Sequence, residues 1–129
     1  MTATDHPFPC SPQTACVAVV RHSAADVETV FRAVREALVA MSAEDTAVDA
    51  ARSRAEATFR VFFFRDEVSA EVRPGGLPGA TGGSVLYVRS RSRVGRYDLG
   101  VNARRMRGLL RRVAALSGPL ADPATATAR

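Results

Sequence analysis

The chain of 129 residues is 47% hydrophobic and 24% charged, which is typical of one folded domain and excludes a multidomain enzyme or a disordered chain. Its 18 basic residues are all arginine and face 13 carboxylates, so the formal net charge is +5. Because lysine is absent and alanine abundant, this basicity reflects overall amino-acid usage and is weak evidence for any one partner. No stretch approaches the roughly 18 apolar residues of a membrane span, and the expected location is cytoplasmic.

The first 16 residues are predicted to form an N-terminal extension outside the domain. Cys10 and Cys16 lie in this Pro- and Ser-rich segment, without the histidines or the paired spacing of a zinc site. In a reducing compartment we expect two thiols, with a local disulfide as the alternative. Neither a metal nor a cofactor is expected.

The N-terminal half of the domain reads as a strand, a helix and two further strands. Residues 17–21 predict a strand, and Ser23 with Asp26 fits a capping box that opens a helix over residues 24–41. From residue 55 apolar and polar side chains alternate, which indicates two strands with one buried face. The sequence places the reversal between these strands near Arg65 and Asp66, so that Phe63 belongs to the buried face of the first.

The C-terminal half contains a loop, a strand and a second helix. Residues 74–84 hold five of the nine glycines and predict a flexible hairpin loop. Residues 85–93 predict a strand, and a helical pattern follows over residues 99–116. Ser117, Gly118 and Pro119 would end that helix, leaving residues 117–129 as a flexible tail.

These elements predict one α+β domain over residues 17–116, in the order β-α-β-β-β-α. We expect a single antiparallel sheet of about four strands with both helices packed on one face. The other face would be open, and it or a sheet edge offers a surface for a homodimer.

The segment RSRSRVGRYDLGVNARR, residues 89–105, is unusually rich in polar and turn-forming residues for a strand followed by a helix. It resembles the signature of the domain-of-unknown-function family 1499, R-S-x-S-R-x-G-x-x-D-x-G-x-N-x-x-R. The matching residues are Arg89, Ser90, Ser92, Arg93, Gly95, Asp98, Gly100, Asn102 and Arg105. The resemblance extends upstream to Phe64-Arg65-Asp66-Glu67, which is similar to the family's aromatic-x-D-D. It implies the location of a site without implying a reaction.

Strand and helix periodicity bring part of this signature to one place. Ser90 and Ser92 share the strand face of Leu86 and Val88. The alternating arginines Arg89, Arg91 and Arg93 project from the other face. Asn102 falls on the apolar side of the last helix at its first turn. Asp98 precedes that helix and is placed to cap its N–H groups.

We therefore predict a binding site around the start of the last helix. The candidate residues are Asp66, Arg89, Ser90, Ser92, Arg93, Asp98, Asn102 and Arg105. A helix start beside arginines favours a small anionic ligand. The alternative is a polar clamp, in which the same side chains satisfy one another and fix the helix on the sheet.

The residues in and around this site favour some classes of function over others. We expect a non-catalytic binding domain, with a small anionic ligand or a protein as partner. The alternatives are a small hydrolase-type enzyme using Asp66, Asp98 and Ser90, or weak nucleic-acid binding through the nine arginines of residues 89–112. Nucleic acid is the less favoured partner, because those arginines have glutamates as cross-strand partners and few aromatic side chains beside them.

Overall fold

The computed structural model describes residues 6–75 and 82–123. In chain order its elements are β1 (Cys16–Ser23), α1 (Val27–Ala40), β2 (Asp45–Asp49), β3 (Arg54–Val61), β4 (Phe64–Pro74), β5 (Ser84–Ser92), α2 (Val101–Ser117) and β6 (Leu120–Ala121). The predicted α+β fold with one antiparallel sheet and two helices is confirmed.

The sheet has the strand order β2-β3-β4-β5-β1-β6, so it has six strands where the sequence predicted about four. The two additional strands lie at its edges. Every residue of β2 is exposed, and β6 has only two residues paired to His22 and Ser23 of β1, within the predicted C-terminal tail. Edge strands of this kind are held by backbone hydrogen bonds and leave no buried alternation in the sequence.

Both helices pack on one face of the sheet and form the core with it. Val30, Val34 and Leu38 of α1 and Leu109 and Val113 of α2 are fully buried. They meet the alternate apolar positions of β3, β4 and β5, as the period of two predicts. At the start of β4 and the end of β5, buried polar residues occupy this face in place of apolar ones.

Two turns differ from their predicted positions. Asp26, not Ser23, is the N-cap of α1 and accepts a hydrogen bond from the Thr29 N–H, because β1 continues through Ser23. The β3–β4 reversal is a two-residue turn at Phe62 and Phe63, not at Arg65 and Asp66. The predicted β4–β5 hairpin loop connects two paired strands, and its residues 76–81 lie outside the described part of the chain.

The N-terminal segment lies across the sheet face opposite the helices. Cys10 and Cys16 form a disulfide, so the expectation of two thiols is wrong. Phe8 is buried, with the guanidiniums of Arg54 and Arg89 at 4.8 and 5.7 Å from its ring centroid. His6 is also buried, and its Nε2 donates to the Val19 carbonyl at 3.0 Å. This face of the sheet is therefore partly covered by residues that the sequence placed outside the domain.

Candidate functional site

Three strand residues form the base of a polar cluster beneath α2. The register pairs Asp66 of β4 with Ser92 of β5, and Ser90 lies two pairs further along, opposite Val68. Asp66, Ser90 and Ser92 are all buried. They occupy the face that carries Leu86 and Val88 elsewhere in the sheet, so a polar patch replaces the core at this end.

Asn102, in the first turn of α2, connects these strands to the helix. Its side chain is fully buried, and its Nδ2 donates to Ser92 Oγ at 2.9 Å and to Asp98 Oδ2 at 2.8 Å. Its Oδ1 accepts from Ser90 Oγ at 2.7 Å and from Arg105 Nη1 at 3.0 Å. One amide thus holds two strand serines, the segment before the helix and the next turn of the helix, as a clamp would.

Arg105 neutralises the buried carboxylate of the cluster. Its Nη1 lies 2.9 Å from Asp66 Oδ2 and also donates to Ser90 Oγ at 3.2 Å. Its guanidinium stacks 4.9 Å from the ring centroid of Phe59. Both side chains of the ion pair are almost wholly buried. A buried pair of this kind is costly to break, because the remaining charge would be left without a partner.

Asp98 closes the cluster at the helix start. Its Oδ1 accepts from the Gly100 N–H at 2.9 Å and its Oδ2 from the Asn102 N–H at 2.8 Å. Burial alone would raise the pKa of Asp98, but these hydrogen bonds outweigh it and hold the pKa below its ordinary value. The carboxylate therefore stays ionised and occupies the helix N–H groups that a bound anion would otherwise use.

Six of the eight predicted site residues come together in what we call the α2 cluster. They are Asp66, Ser90, Ser92, Asp98, Asn102 and Arg105. Arg89 and Arg93 lie on the opposite face of the sheet, as the strand period requires, and do not join it. The cluster contains one guanidinium and two carboxylates, so its formal charge is −1.

The arginines on the opposite face have their own partners. Arg93 and Arg91 both donate to Glu67, at 3.1 and 2.9 Å. Arg89 donates through Nη1 to the Pro9 carbonyl at 3.0 Å, while its buried Nε has no hydrogen-bond partner. Burial and the neighbouring Arg91 lower the pKa of Arg89. These side chains border a shallow polar groove of about 320 Å³ that also carries Glu56.

Beside the α2 cluster the surface opens into a pocket of about 340 Å³, which we call the end pocket. Its walls are apolar, from Val61, Phe64, Val94, Tyr97 and Val101. Its polar groups are Asp66, Ser92 and Asp98, all from the α2 cluster. The clamp and the pocket thus share three side chains, and the clamp fixes their positions.

The rim of the end pocket carries large apolar side chains exposed to solvent. We call these residues the apolar tip: Phe62, Phe63, Phe64, Val94, Tyr97 and Leu99. The sequence predicted Phe63 on the buried face of a strand, whereas β3 ends at Val61, before it. Three consecutive phenylalanines at a strand end were the available signal, because a strand with one buried face would alternate.

Across residues 6–75 and 82–123, no three His, Cys, Asp or Glu side chains lie together in a way that could hold a metal ion. Within the same ranges no helix is both long and apolar enough to cross a membrane. The predicted homodimer and the cytoplasmic location stay predictions.

Comparison with known proteins identifies the family. No curated protein sequence matches the chain. A family model described as "Protein of unknown function (DUF1499)" matches residues 9–113, which include the covering N-terminal segment from Pro9, the whole sheet core and the α2 cluster. That match spans most of the 129 residues. The chain therefore belongs to the DUF1499 family, as the signature around Asn102 indicated.

Proposed function

We propose that this chain is a non-catalytic binding domain that holds a ligand in the end pocket. The observation that carries the proposal is the composition of that pocket, in which apolar walls surround three fixed acceptor side chains. Binding sites of small molecules combine these two features, since apolar surface supplies affinity and a few polar groups set orientation. Its volume of about 340 Å³ suits a ligand of one ring with a short chain.

The charge of the α2 cluster indicates the class of ligand. Asp66 and Asp98 face the pocket, while the guanidinium of Arg105 is buried behind them against Phe59. Two carboxylates near one buried cation favour a ligand that donates hydrogen bonds or carries positive charge. We therefore propose a ligand with an apolar body and an amine or amide donor.

The anionic ligand predicted from the sequence has less support at this place. Asp98 already accepts from the helix N–H groups, and Asp66 already occupies Arg105. An anion would have to displace one of these carboxylates and leave it unpaired in a buried position. The two ligand classes are opposite in charge, so one experiment distinguishes them.

The same contacts support a non-catalytic role. Ser90 is fully buried, and its hydroxyl donates to Asn102 and accepts from Arg105, so no substrate can reach it. Asp98 has a lowered pKa, which suits a structural acceptor and not a general acid at neutral pH. The hydrolase alternative would need both groups to be available.

Titration of the labelled protein with phenethylamine and with phenylacetate, followed by amide chemical shifts, tests the proposal. We expect phenethylamine to shift the amides of Ser92 and Val101, and phenylacetate at the same concentration to leave them unchanged. The double variant Val94→Ser/Tyr97→Ala removes two exposed walls and should weaken phenethylamine binding at least about fivefold.

The matched control is Val39→Ser, which removes an equally exposed valine from α1, far from the pocket in the sequence. It should bind phenethylamine as the wild type does. Shifts caused by phenylacetate alone would show that the site binds anions, and turnover of an ester or amide that is lost in Ser92→Ala would show that the domain is an enzyme. Either result overturns the proposal.

A further inference from the structure

The apolar tip exposes more apolar side chain than the end pocket needs. Phe62 is 84% exposed, Phe63 90%, Tyr97 98% and Leu99 91%. Phe62, Phe63 and Leu99 do not line the pocket, so its ligand does not account for them. Scattered single apolar residues are ordinary on a surface, but several on two adjoining loops indicate a contact with something apolar.

The backbone at these positions argues that the side chains are kept for an external contact. Phe62 and Leu99 have φ angles of 54° and 55°, in the left-handed region that favours glycine or asparagine. A fold that needed only two turns there would be more stable with one of those residues. Each loop instead carries a large apolar side chain, exposed to solvent, at a residue whose left-handed backbone conformation is unfavourable for such a side chain.

Arginine side chains lie beside both loops, and two of them donate hydrogen bonds to the loop backbone. Arg60 Nε donates to the Phe62 carbonyl at 3.0 Å, and Arg104 Nη1 donates to the Leu99 carbonyl at 2.8 Å. Arg96 is exposed and adjacent to Tyr97. None of these three arginines takes part in an ion pair in the described part of the chain.

Three of the nearby carboxylates, Glu44, Glu67 and Asp66, pair with other arginines. Glu44 lies 3.2 Å from Arg65, and Glu67 pairs with Arg91 and Arg93. Asp66 and Asp98 belong to the α2 cluster. Among the described residues Asp98 has no cationic partner, so Arg60, Arg96 and Arg104 together with Asp98 leave a net positive charge beside the apolar tip.

We propose that the apolar tip inserts into the surface of an anionic lipid bilayer. Phenylalanine, tyrosine and leucine would enter the boundary between headgroups and acyl chains, while Arg60, Arg96 and Arg104 contact the lipid phosphates and carboxylates. This attachment is peripheral and needs no membrane-spanning segment. The proposal goes beyond ligand binding in the end pocket and does not depend on it.

A second copy of the chain fits the same surface less well. A symmetric dimer through the apolar tip would bring the arginines of both copies into one interface, because the same patch of each copy is used across a two-fold axis. The repulsion of these cations would oppose the burial of the phenylalanines. An anionic bilayer matches both the exposed apolar side chains and the arginines of this surface.

Co-flotation with vesicles tests the proposal on the full chain. We expect binding to vesicles of phosphatidylcholine with about 30% phosphatidylserine and at least about tenfold weaker binding to pure phosphatidylcholine. The variant Phe62→Ser/Phe63→Ser should lose at least about tenfold in partition to the anionic vesicles, because two inserted rings are removed. Its thermal midpoint should not fall, since both side chains are exposed.

Matched controls separate insertion from general basicity. Val39→Ser/Leu116→Ser removes two other exposed apolar side chains, and Arg107→Gln/Arg111→Gln removes two exposed arginines from the outer face of α2. Both should bind anionic vesicles as the wild type does, whereas Arg60→Gln/Arg96→Gln should bind weakly. Because the chain has no tryptophan, tyrosine emission reports on Tyr97 and on buried Tyr87, and brominated lipid should quench only the former.

Three results would overturn the proposal. The wild type could fail to float with anionic vesicles, or it could float equally well after Phe62→Ser/Phe63→Ser. The same variant could instead convert a dimer to a monomer in sedimentation, which would assign the apolar tip to a second copy. Phe62→Ser/Phe63→Ser should still bind phenethylamine, because neither residue lines the end pocket. A loss of vesicle binding in this variant is then not caused by damage to that pocket.

Discussion

Substitution of Asn102 by alanine tests the clamp most directly. It removes an amide that makes four side-chain hydrogen bonds inside the protein. Asp98 keeps its hydrogen bonds from two backbone N–H groups, but the fully buried Ser90 hydroxyl loses its acceptor. An unsatisfied buried donor and the small void beside it together cost about 2 to 3 kcal/mol of unfolding free energy. The urea midpoint should fall by about 1 to 2 M for a domain of this size.

A double-mutant cycle identifies the cause of that loss. In Ser90→Ala/Asn102→Ala the orphaned hydroxyl is absent, so the double variant should be more stable than the sum of the single losses implies, by about 1 kcal/mol. Arg107→Ala, exposed on the same helix, is the control and should change the midpoint little. A loss below about 0.5 kcal/mol for Asn102→Ala, within the range of surface substitutions, would refute the clamp.

Three further outcomes are expected. The loss of unfolding free energy in Asp98→Asn should be largest near neutral pH and shrink in acid, because a carboxyl with a lowered pKa stabilises the fold only while it is ionised. Denaturant titrations measure this loss, and a loss that stays constant from about pH 7 to about pH 3 would contradict the prediction. Cys10→Ser/Cys16→Ser should lose about 2 kcal/mol by the loop-entropy estimate and make Phe8 accessible, seen as faster exchange of the Val19 and Tyr87 amides. Arg107→Gln/Arg111→Gln should leave the thermal midpoint nearly unchanged, and a drop of several degrees would show that these side chains are not simply solvated.

The α2 cluster could be predicted from the sequence because it obeys the two regular periods. Alternate residues of β5 must face the same side, which places Ser90 with Ser92, and the helical period places Asn102 above them. The same rule put Arg89 on the opposite face, so its inclusion in one site with Asn102 conflicted with the strand geometry. The pairing of Asp66 with Arg105 depends on sheet register, which the sequence does not specify.

The features that escaped prediction are those without a periodic signal. The turn at Phe62 and Phe63 lacks the glycine or asparagine that marks a hairpin, so the apolar run reads as a continuing strand. β2 is exposed throughout, and no side-chain alternation reports its backbone pairing. The spacing of Cys10 and Cys16 permits either redox state, and only their approach in the fold decides between them.

The segment from His6 to Cys10 covers part of the sheet face from within the same chain. Phe8 lies against the guanidiniums of Arg54 and Arg89, His6 packs edge-on against Tyr87, and the disulfide keeps the segment at high effective concentration beside the sheet. A shortened protein beginning at Cys16 would lose Phe8 and expose the part of the sheet face that carries Arg54 and Arg89. Interaction screens with such a truncated chain would therefore probe a surface that residues 6–10 cover in the intact protein.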